Sequence, residues 1–523
     1  MLHATLLQAL REPTIYPEPT TTVEVRETHI SVVFLTDQYA YKLKKPLDLG
    51  FLNYSTLAQR YFYCQQELLL NRRLSSGVYL EVVALRYNGQ QYTFAADGEV
   101  VEYALKMRRL PADCTLAARL IQHVVLPSDV EALAQRLVAF HRIQVPPGPP
   151  GRFGTLARVQ HDWHENFAQT TDCIGHTLSQ AVYTEIQQAV LTFTTQHAAW
   201  FTQRLQDSRI RDCHGDLRAE HIYLENGQIH IIDCIEFNTR FRFIDVASEV
   251  AFLAMDLDHL GFPAMAQVFV QAYVQHSEDV TLYRLLDFYR CYRAYVRGKV
   301  AGIRLQEALP AAERPALQHA AEGYFNLARR YAARLTRPLL LITTGLIGSG
   351  KSSVAAGVAA ALDLLLCSSD RVRKEQAGLT PETPQRVAYG TGLYSTAGNQ
   401  RTYNALADLA QQALAHGQGV LLDASFARQA ERQRVAALAQ AAGAEFFVLD
   451  CYAPETVLRQ RLEQREQTPG AISDGRRDIL SQFRRDYEPV QTSEPGYHVR
   501  LDTTRSIACC VQQALAAIQA GKS

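Results

Sequence analysis

The feature that most constrains the fold is a glycine-rich stretch that directly follows a short apolar run. Residues 339–344 (LLLITT) have the length and composition of a buried strand, and residues 345–352 (GLIGSGKS) follow without a gap. An alanine-rich segment of helical character comes next. A strand, a glycine-rich loop and a helix in this order place backbone N–H groups at a helix N-terminus, where they can surround a phosphate.

Each part of this loop matches a requirement of a phosphate-binding loop of the Walker A type. Gly345 and Gly350 allow the backbone to wrap around phosphates, Lys351 can reach the β and γ phosphates, and the Ser352 hydroxyl can hold Mg²⁺. A mere glycine-rich turn is the alternative. We predict binding of ATP with Mg²⁺, and the expected contacts are Gly345, Leu346, Ile347, Gly348, Ser349, Gly350, Lys351, Ser352 and Ser353.

The surrounding sequence predicts an α/β domain with a parallel sheet. Strand-like segments at 364–367, 420–422 and 445–450 alternate with helical patterns, which is the rhythm of parallel strands covered by helices on both faces. Arg337 and Pro338 interrupt the preceding helical pattern. We therefore place a domain boundary there and predict a P-loop domain over residues 337–523.

Charged residues follow the predicted strands of this domain. Asp370 could accept a hydroxyl proton and Arg373 could bind an anionic group, although an N-cap role for Asp370 is the alternative. Asp423, at a strand end, could support Mg²⁺ or be structural. The arginine-rich segment 457–487, which includes Arg465, is typical either of a mobile lid over phosphates or of a solvated helix pair.

Together these motifs resemble the small P-loop kinases related to polynucleotide kinase and zeta toxins. The resemblance covers about 180 residues and rests on the Walker A loop, Asp370 with Arg373, Asp423 and the late arginines. It implies transfer of the ATP γ-phosphate to a hydroxyl, with Asp370 as the base and Arg465 as the preferred lid arginine. Members of this group differ widely in their acceptors.

A second constellation lies in the first half of the chain. Residues 213–221 (CHGDLRAEH) precede a turn and the strand-like residues 229–233 (IHIID). Asp216 could orient an acceptor hydroxyl while Asp233 binds Mg²⁺. The spacing resembles the HGD catalytic loop and the metal aspartate of aminoglycoside-phosphotransferase-like kinases, and the resemblance extends over about residues 25 to 330.

Upstream residues agree with that resemblance. Strands at 28–35 and 39–44 form a predicted hairpin, and a helix is expected over 55–74 with Ser55 as its N-cap. The resemblance implies Lys44 as the phosphate-pairing lysine, with Lys42 as a competitor, and Glu67 as its ion-pair partner. The prediction is an α+β protein-kinase-like domain over residues 1–336.

One position departs from the family pattern. His221 stands where the resemblance expects a metal-binding asparagine, and an imidazole is a poor ligand for a cation that prefers oxygen. Glu236, three residues after Asp233, could supply an oxygen instead. His221 and Glu236 therefore remain candidate metal ligands, and an inactive kinase-like fold is the alternative for this domain.

The order of the two domains resembles a group of bacterial proteins described as bifunctional aminoglycoside phosphotransferase/ATP-binding proteins. This resemblance predicts an ATP-dependent phosphotransferase acting on a hydroxyl of a small molecule or nucleotide. A regulatory ATPase whose N-terminal domain is an inactive binding module is the second hypothesis. The 53 basic and 53 acidic residues balance, so we expect no broad nucleic-acid or membrane binding, and ten scattered cysteines favour a reducing cytoplasm.

Overall fold

The computed structural model describes residues 4–50, 52–145, 152–307, 310, 312–380, 383, 390–466 and 475–521. The chain divides into two compact units. One unit contains residues 1–173, 197–277 and 292–324, and the other contains 174–196, 278–291 and 325–523. The segments 174–196 and 278–291, both from the predicted N-terminal domain, thus group with the C-terminal residues. The boundary at residues 336 and 337 stays a prediction.

The first unit begins with an antiparallel sheet. Within the described residues it has six strands in the order β1-β2-β3-β6-β4-β5. These strands are β1 (Glu24–Glu27), β2 (Ser31–Leu35), β3 (Tyr39–Lys44), β4 (Tyr79–Tyr87), β5 (Tyr92–Thr93) and β6 (Glu99–Arg108). The predicted hairpin is confirmed, because β2 pairs with β3 in antiparallel register.

Helices dominate the sequence that follows. The helices as far as residue 335 are α1 (Ala4–Ala9), α2 (Leu57–Asn71), α3 (Leu116–Ile121), α4 (Pro127–Ile143), α5 (Leu156–Gln169), α6 (Gln180–Gln196), α7 (Ala198–Gln206), α8 (Val246–His259), α9 (Pro263–Ser277), α10 (Leu282–Arg304) and α11 (Arg314–Leu335). The prediction of Ser55 as the cap of α2 is wrong by one residue. Thr56 accepts a hydrogen bond from the Gln59 N–H, and Gln59 reciprocates in a capping box.

Two short strand pairs carry the kinase-like motif of the first unit. Strands β7 (Ile210–Asp212) and β10 (Phe243–Asp245) pair on one side of it, and β8 (Ile222–Glu225) and β9 (Gln228–Ile231) form a hairpin on the other. Residues 213–221 run from β7 to β8, and Asp233 follows β9 by two residues. The sequence motif therefore lies on connections that short strands hold at both ends.

The second unit contains the predicted parallel sheet. Its five strands, counted within the described residues, have the order β12-β13-β11-β14-β15, and every pair is parallel. The strands are β11 (Leu339–Thr344), β12 (Leu365–Ser368), β13 (Val420–Asp423), β14 (Glu445–Tyr452) and β15 (Tyr497–Asp502). The helices that follow β11 along the chain are α12 (Lys351–Leu362), α13 (Ser369–Gln376), α14 (Thr396–Ala415), α15 (Gln429–Ala441), α16 (Glu455–Glu466), α17 (Leu480–Asp486) and α18 (Ile507–Gly521).

The central strand of this sheet positions the glycine-rich loop. All six residues of β11 are buried, as a strand covered on both faces requires. The chain leaves β11 towards β12 on one side and later passes from β13 to β14 on the other, so connections diverge beside β11. Ligands of open α/β sheets bind at the carboxyl ends of strands near such a point. Within the described residues, no helix is both long enough and apolar enough to cross a membrane.

Candidate functional sites

The glycine-rich loop of the second unit has the geometry that its sequence predicts. Gly345 has a φ of 135°, and a Cβ atom there would lie 2.2 Å from the Cys451 carbonyl oxygen. Gly350 adopts a left-handed conformation and forms the N-cap of α12, whose first residue is Lys351. No other residue type fits both requirements at Gly345. The loop therefore directs backbone N–H groups and the N-terminus of α12 towards one place.

Lys351 lies folded over its own loop. Its Nζ donates a hydrogen bond to the Leu346 carbonyl oxygen at 2.8 Å. Burial lowers the pKa of Lys351 below its ordinary value, although the negative charge of Asp423 acts in the opposite direction. A partly desolvated ammonium beside a neutral carbonyl can move to a phosphate without breaking an ion pair.

The structure places the predicted acidic residues around this lysine. Asp423 ends β13, is buried, and accepts a hydrogen bond from the Thr343 hydroxyl at 3.1 Å. Asp370 lies in the first turn of α13 and forms an ion pair with Arg373 at 3.2 Å. The Arg373 side chain also donates to Asn399 at 3.0 Å and lies over the Tyr394 ring.

A cavity of about 520 Å³ brings these groups together. Its lining includes the loop residues Ile347, Gly348, Gly350, Lys351, Ser352 and Ser353, and also Asp370, Arg373, Asp423 and Arg465. Further from the loop, the lining includes Tyr403, Ser425 and Glu431. The predicted phosphate loop, base, anion-binding arginine and metal aspartate thus face one space that is large enough for a nucleotide and a small acceptor.

The arginines of the predicted lid do not share one environment. Arg465 and Arg476 line the cavity. Arg459 and Arg477 form surface ion pairs with Glu455 and Glu463. Residues 467–474, the middle of the predicted lid, lie outside the described residues.

Arg461 supports the glycine-rich loop from behind. Its Nη1 donates to the Thr503 hydroxyl at 3.1 Å, and that hydroxyl lies 2.7 Å from the Ser349 carbonyl oxygen, to which it donates. Arg461 also donates to the Gly348 carbonyl at 3.5 Å. Sequence reasoning missed this support, because Thr503 lies about 150 residues beyond the loop and belongs to no local motif.

In the first unit, the loop that carries Asp216 is fixed by buried acids. The fully buried Glu249 of α8 accepts hydrogen bonds from the backbone N–H groups of His214 and Gly215 at 2.6 and 3.0 Å. Asp256, further along the same helix, accepts a hydrogen bond from the Ala219 N–H at 2.8 Å. Both ends of the loop therefore attach to α8, which gives Asp216 a defined position.

Asp216 is held by a neighbour that the sequence analysis did not single out. Arg218 donates from Nε to one Asp216 carboxylate oxygen at 3.0 Å and from Nη2 to the other at 3.1 Å. Burial alone would raise the pKa of Asp216, but the charge of Arg218 and its hydrogen bonds outweigh burial and hold that pKa well below its usual range. Asp216 is therefore a fixed carboxylate with low basicity.

Both nitrogens of His221 are occupied. Nδ1 lies 2.9 Å from the Asp216 carbonyl oxygen, and Nε2 lies 3.0 Å from Arg218 Nη2. Burial and the adjacent Arg218 lower the pKa of His221, which favours the neutral ring. A carbonyl only accepts and a guanidinium only donates, so Nδ1 carries the proton and Nε2 uses its lone pair on Arg218. In this arrangement His221 has no lone pair to offer a metal ion.

Lys42 and Lys44 lie on the same face of β3 and both contact Glu67. Lys42 Nζ bridges Glu67 at 2.8 Å and Asp233 at 2.6 Å. Lys44 Nζ contacts Glu67 at 2.7 Å and also Glu236, and its side chain is only 2% exposed. Lys42 thus joins the helix α2 glutamate to the predicted metal aspartate, whereas Lys44 is enclosed behind it.

Glu236 belongs to the enclosed group. It accepts hydrogen bonds from Lys44 and from the Tyr54 hydroxyl, the latter at 2.5 Å. Burial raises its pKa, although Lys44 acts in the opposite direction. These contacts therefore do not favour the prediction that Glu236 is a metal ligand, because its carboxylate already binds Lys44 and Tyr54.

Asp233 remains partly exposed. It has a φ of 65°, a strained conformation for a residue other than glycine, which is typical of functional positions. Burial opposes its ionisation, but the charge and the hydrogen bond of Lys42 hold its pKa well below the usual range. Its Oδ2 lies 3.7 Å from His221 Nε2. Asp216, Arg218, His221, Asp233 and Lys42 therefore form one connected group of charged and polar side chains.

Family models match both halves of the chain. The model described as "Phosphotransferase enzyme family" (APH) matches residues 82–289, and the model described as "AAA domain" matches residues 340–490. The first match includes the Asp216 loop but begins after Lys42 and Glu67. The fold and the sites thus define a kinase-like phosphotransferase-type domain followed by a P-loop domain of the AAA type.

Relatives from two mycobacteria align with this chain over most of its length. Proteins from Mycobacterium tuberculosis H37Rv and Mycobacterium bovis, both described only as uncharacterized, are 31% identical to this chain over 462 residues, which are 88% of this chain and 89% of theirs. The chain belongs to the same family as these proteins.

Solved structures with similarity to parts of the chain include two kinases. Choline kinase from Cryptosporidium parvum is 10% identical, with a TM-score of 0.40, and the match covers 60% of this chain and 90% of that one. A putative kinase from Chloroflexus aurantiacus is 22% identical, with a TM-score of 0.29, and the match covers 36% of this chain and 98% of that one.

Proposed function

We propose that this protein is an ATP-dependent phosphotransferase whose C-terminal domain transfers the γ-phosphate to a hydroxyl of a small molecule or nucleotide. The observation that carries the proposal is the shared cavity, where Lys351 and Ser352 of the loop face Asp370, Arg373 and Asp423. A loop that only bound nucleotide would not require a carboxylate and an arginine opposite the phosphates. These two groups are what an acceptor needs.

The donor atoms at this site suit Mg²⁺. The exposed hydroxyl of Ser352 and the carboxylate of Asp423 are oxygen ligands, which this cation prefers. When bound, the ion would neutralise charge on the β and γ phosphates. Lys351 would leave the Leu346 carbonyl for the same phosphates, and Arg465, which lines the same cavity, would add positive charge.

The chain's own residues then account for the transfer. The acceptor hydroxyl oxygen attacks the γ-phosphorus while its proton passes to the Asp370 carboxylate. The bond between the γ-phosphorus and the bridging oxygen breaks, and ADP leaves with the bond electrons. Arg373 holds Asp370 at 3.2 Å and so keeps the base oriented, and its guanidinium is available to an anionic group on the acceptor.

For the N-terminal domain we propose a second ATP–Mg²⁺ site. Lys42 would pair with the phosphates, because it already joins Glu67 to Asp233. Asp233 would hold Mg²⁺, and Asp216 would orient an acceptor hydroxyl. This proposal gives the phosphate-pairing role to Lys42 rather than to Lys44, whose ammonium is enclosed by Glu67, Glu236 and Tyr54.

A second candidate function follows from His221. Because both of its ring nitrogens are occupied, the N-terminal domain departs from an ordinary two-ion kinase site. In this alternative the N-terminal domain is a catalytically inactive binding module, and the protein is a regulatory ATPase controlled by nucleotide at Lys351.

Calorimetric titration of a non-hydrolysable Mg²⁺–ATP analogue distinguishes these possibilities. The intact chain is compared with Lys351→Ala, and then with Lys351→Ala combined with Asp233→Ala. Two sites in the intact chain, one in the single variant and none in the double variant are expected for two nucleotide-binding domains. Complete loss of binding in Lys351→Ala alone would restrict ATP to the C-terminal domain and favour the regulatory alternative.

A further inference from the structure

In the part of the chain that the structure describes, the two candidate ligands for a second metal ion in the N-terminal site, His221 and Glu236, are both engaged by other groups. Two-ion phosphotransferase sites hold their ions with the aspartate of the second motif and a side chain in the catalytic loop. Here the second position is His221, whose Nε2 accepts from Arg218 and whose Nδ1 donates to a backbone carbonyl. Glu236 is committed to Lys44 and Tyr54. Neither of these two candidates therefore fits a second ion, because each is held by other partners.

Arg218 brings a positive charge to the same part of the site, because it contacts both Asp216 and His221. Its side chain is only 10% exposed, and it contacts both carboxylate oxygens of Asp216, Nε2 of His221 and the carboxylate of Glu220. An arginine fixed by so many contacts presents its positive charge in one orientation. The same His221 Nε2 lies 3.7 Å from the Asp233 Oδ2 atom.

We propose that the Arg218 guanidinium replaces the second metal ion of the N-terminal site, so that this site works with a single divalent ion on Asp233. The inference depends on the proposed nucleotide binding by this domain. Arg218 neutralises Asp216 and offers its remaining N–H to the terminal phosphates of the nucleotide. A divalent ion placed on His221 Nε2 would lie within a few ångströms of this guanidinium, and like charges at that distance repel strongly.

Electron paramagnetic resonance of Mn²⁺ counts the ions directly and does not depend on activity. Full-length Lys351→Ala is titrated with Mn²⁺ at saturating non-hydrolysable ATP analogue, and the same chain with Asp233→Ala gives the background. The difference between the two is the number of ions in the N-terminal site. We expect one ion.

A repaired variant provides the matched comparison. Arg218→Ala together with His221→Asn, in the Lys351→Ala background, removes the guanidinium and introduces an oxygen ligand at the position of His221. This variant is expected to bind two ions. Arg218→Lys, which keeps a charge but loses the planar fork, is expected to bind one ion and to weaken the nucleotide about tenfold, equivalent to about 1.4 kcal/mol.

The outcomes separate this inference from the proposed function. Two ions in the N-terminal site with Arg218 intact would overturn the inference and leave nucleotide binding by the domain in place. One ion in the repaired variant, with nucleotide still bound, would also overturn it, because Arg218 would then not be what excludes the second ion. No nucleotide bound in the Lys351→Ala chain would overturn both the inference and the proposed N-terminal site.

Discussion

Replacing Lys44 with methionine tests the proposal that Lys44 is structural and that Lys42 pairs with the phosphates. Lys44 is 2% exposed and is the shared ion-pair partner of Glu67 and Glu236, which are also buried. Removing one partner of a buried ion pair costs about 3–5 kcal/mol, because the remaining charge stays without compensation. Lys42→Met is the matched control. Glu67 then keeps Lys44, and Asp233 is partly exposed, so a loss of at most about 2 kcal/mol is expected.

Tryptophan fluorescence during urea unfolding measures this difference selectively. The chain has two tryptophans, Trp163 and Trp200, and both belong to the first unit. With a denaturant slope of about 3 kcal/mol per molar urea, the Lys44→Met midpoint should fall by roughly 1 to 1.7 M. Nucleotide binding at the N-terminal site should be lost in Lys42→Met, which remains folded. Equal midpoints for the two variants, or a larger shift for Lys42→Met, would refute the assignment.

Three other predictions concern the chemistry and the supports of the sites. Asp370→Asn should abolish acceptor-dependent ADP production and leave nucleotide affinity within about twofold, as expected when a catalytic base is removed. Unchanged turnover would contradict the proposal that Asp370 is the base. Thr503→Val should weaken ATP at the C-terminal site about tenfold in calorimetry, because Arg461 and the Ser349 carbonyl lose a partner, and Thr503→Ser should not. Burial lowers the pKa of His141 to about 3, whereas an unfolded histidine titrates near 6.5. Between these values only the unfolded chain takes up this proton, so the free energy of unfolding falls by about 1.4 kcal/mol per pH unit as the pH drops. His141→Gln should remove one proton from that dependence in urea titrations, and an unaltered slope would contradict the assignment.

The parts of the fold that the sequence predicts are those with local signals. The Walker A loop follows from spacing alone, because its glycines, lysine and serine act on one ligand from consecutive positions. Buried parallel strands such as β11 read as continuous apolar runs. Strand β15 (Tyr497–Asp502) was not predicted, because its tyrosine, histidine and arginine conceal the alternation of an edge strand.

The choice between Lys42 and Lys44 shows why site residues are harder to predict. Residues two apart on a strand share a face, so periodicity cannot rank them. In the structure the two lysines differ in their contacts, because Lys44 binds Glu236, which lies 192 residues further along the chain. Arg218 and Thr503 were missed for the same reason, since their roles depend on partners that the fold brings close.

The two candidate sites differ in what a nucleotide must displace. In the C-terminal site, the Lys351 ammonium contacts a neutral carbonyl, so binding a phosphate exchanges a hydrogen bond for an ion pair. In the N-terminal site, Lys42 already neutralises Glu67 and Asp233, and a phosphate must compete with these carboxylates. We therefore expect the C-terminal site to bind ATP at least about tenfold more tightly, a difference of 1.4 kcal/mol or more. Calorimetry on Asp233→Ala and Lys351→Ala isolates each site in turn, and equal affinities would show that Lys42 leaves its carboxylates without cost.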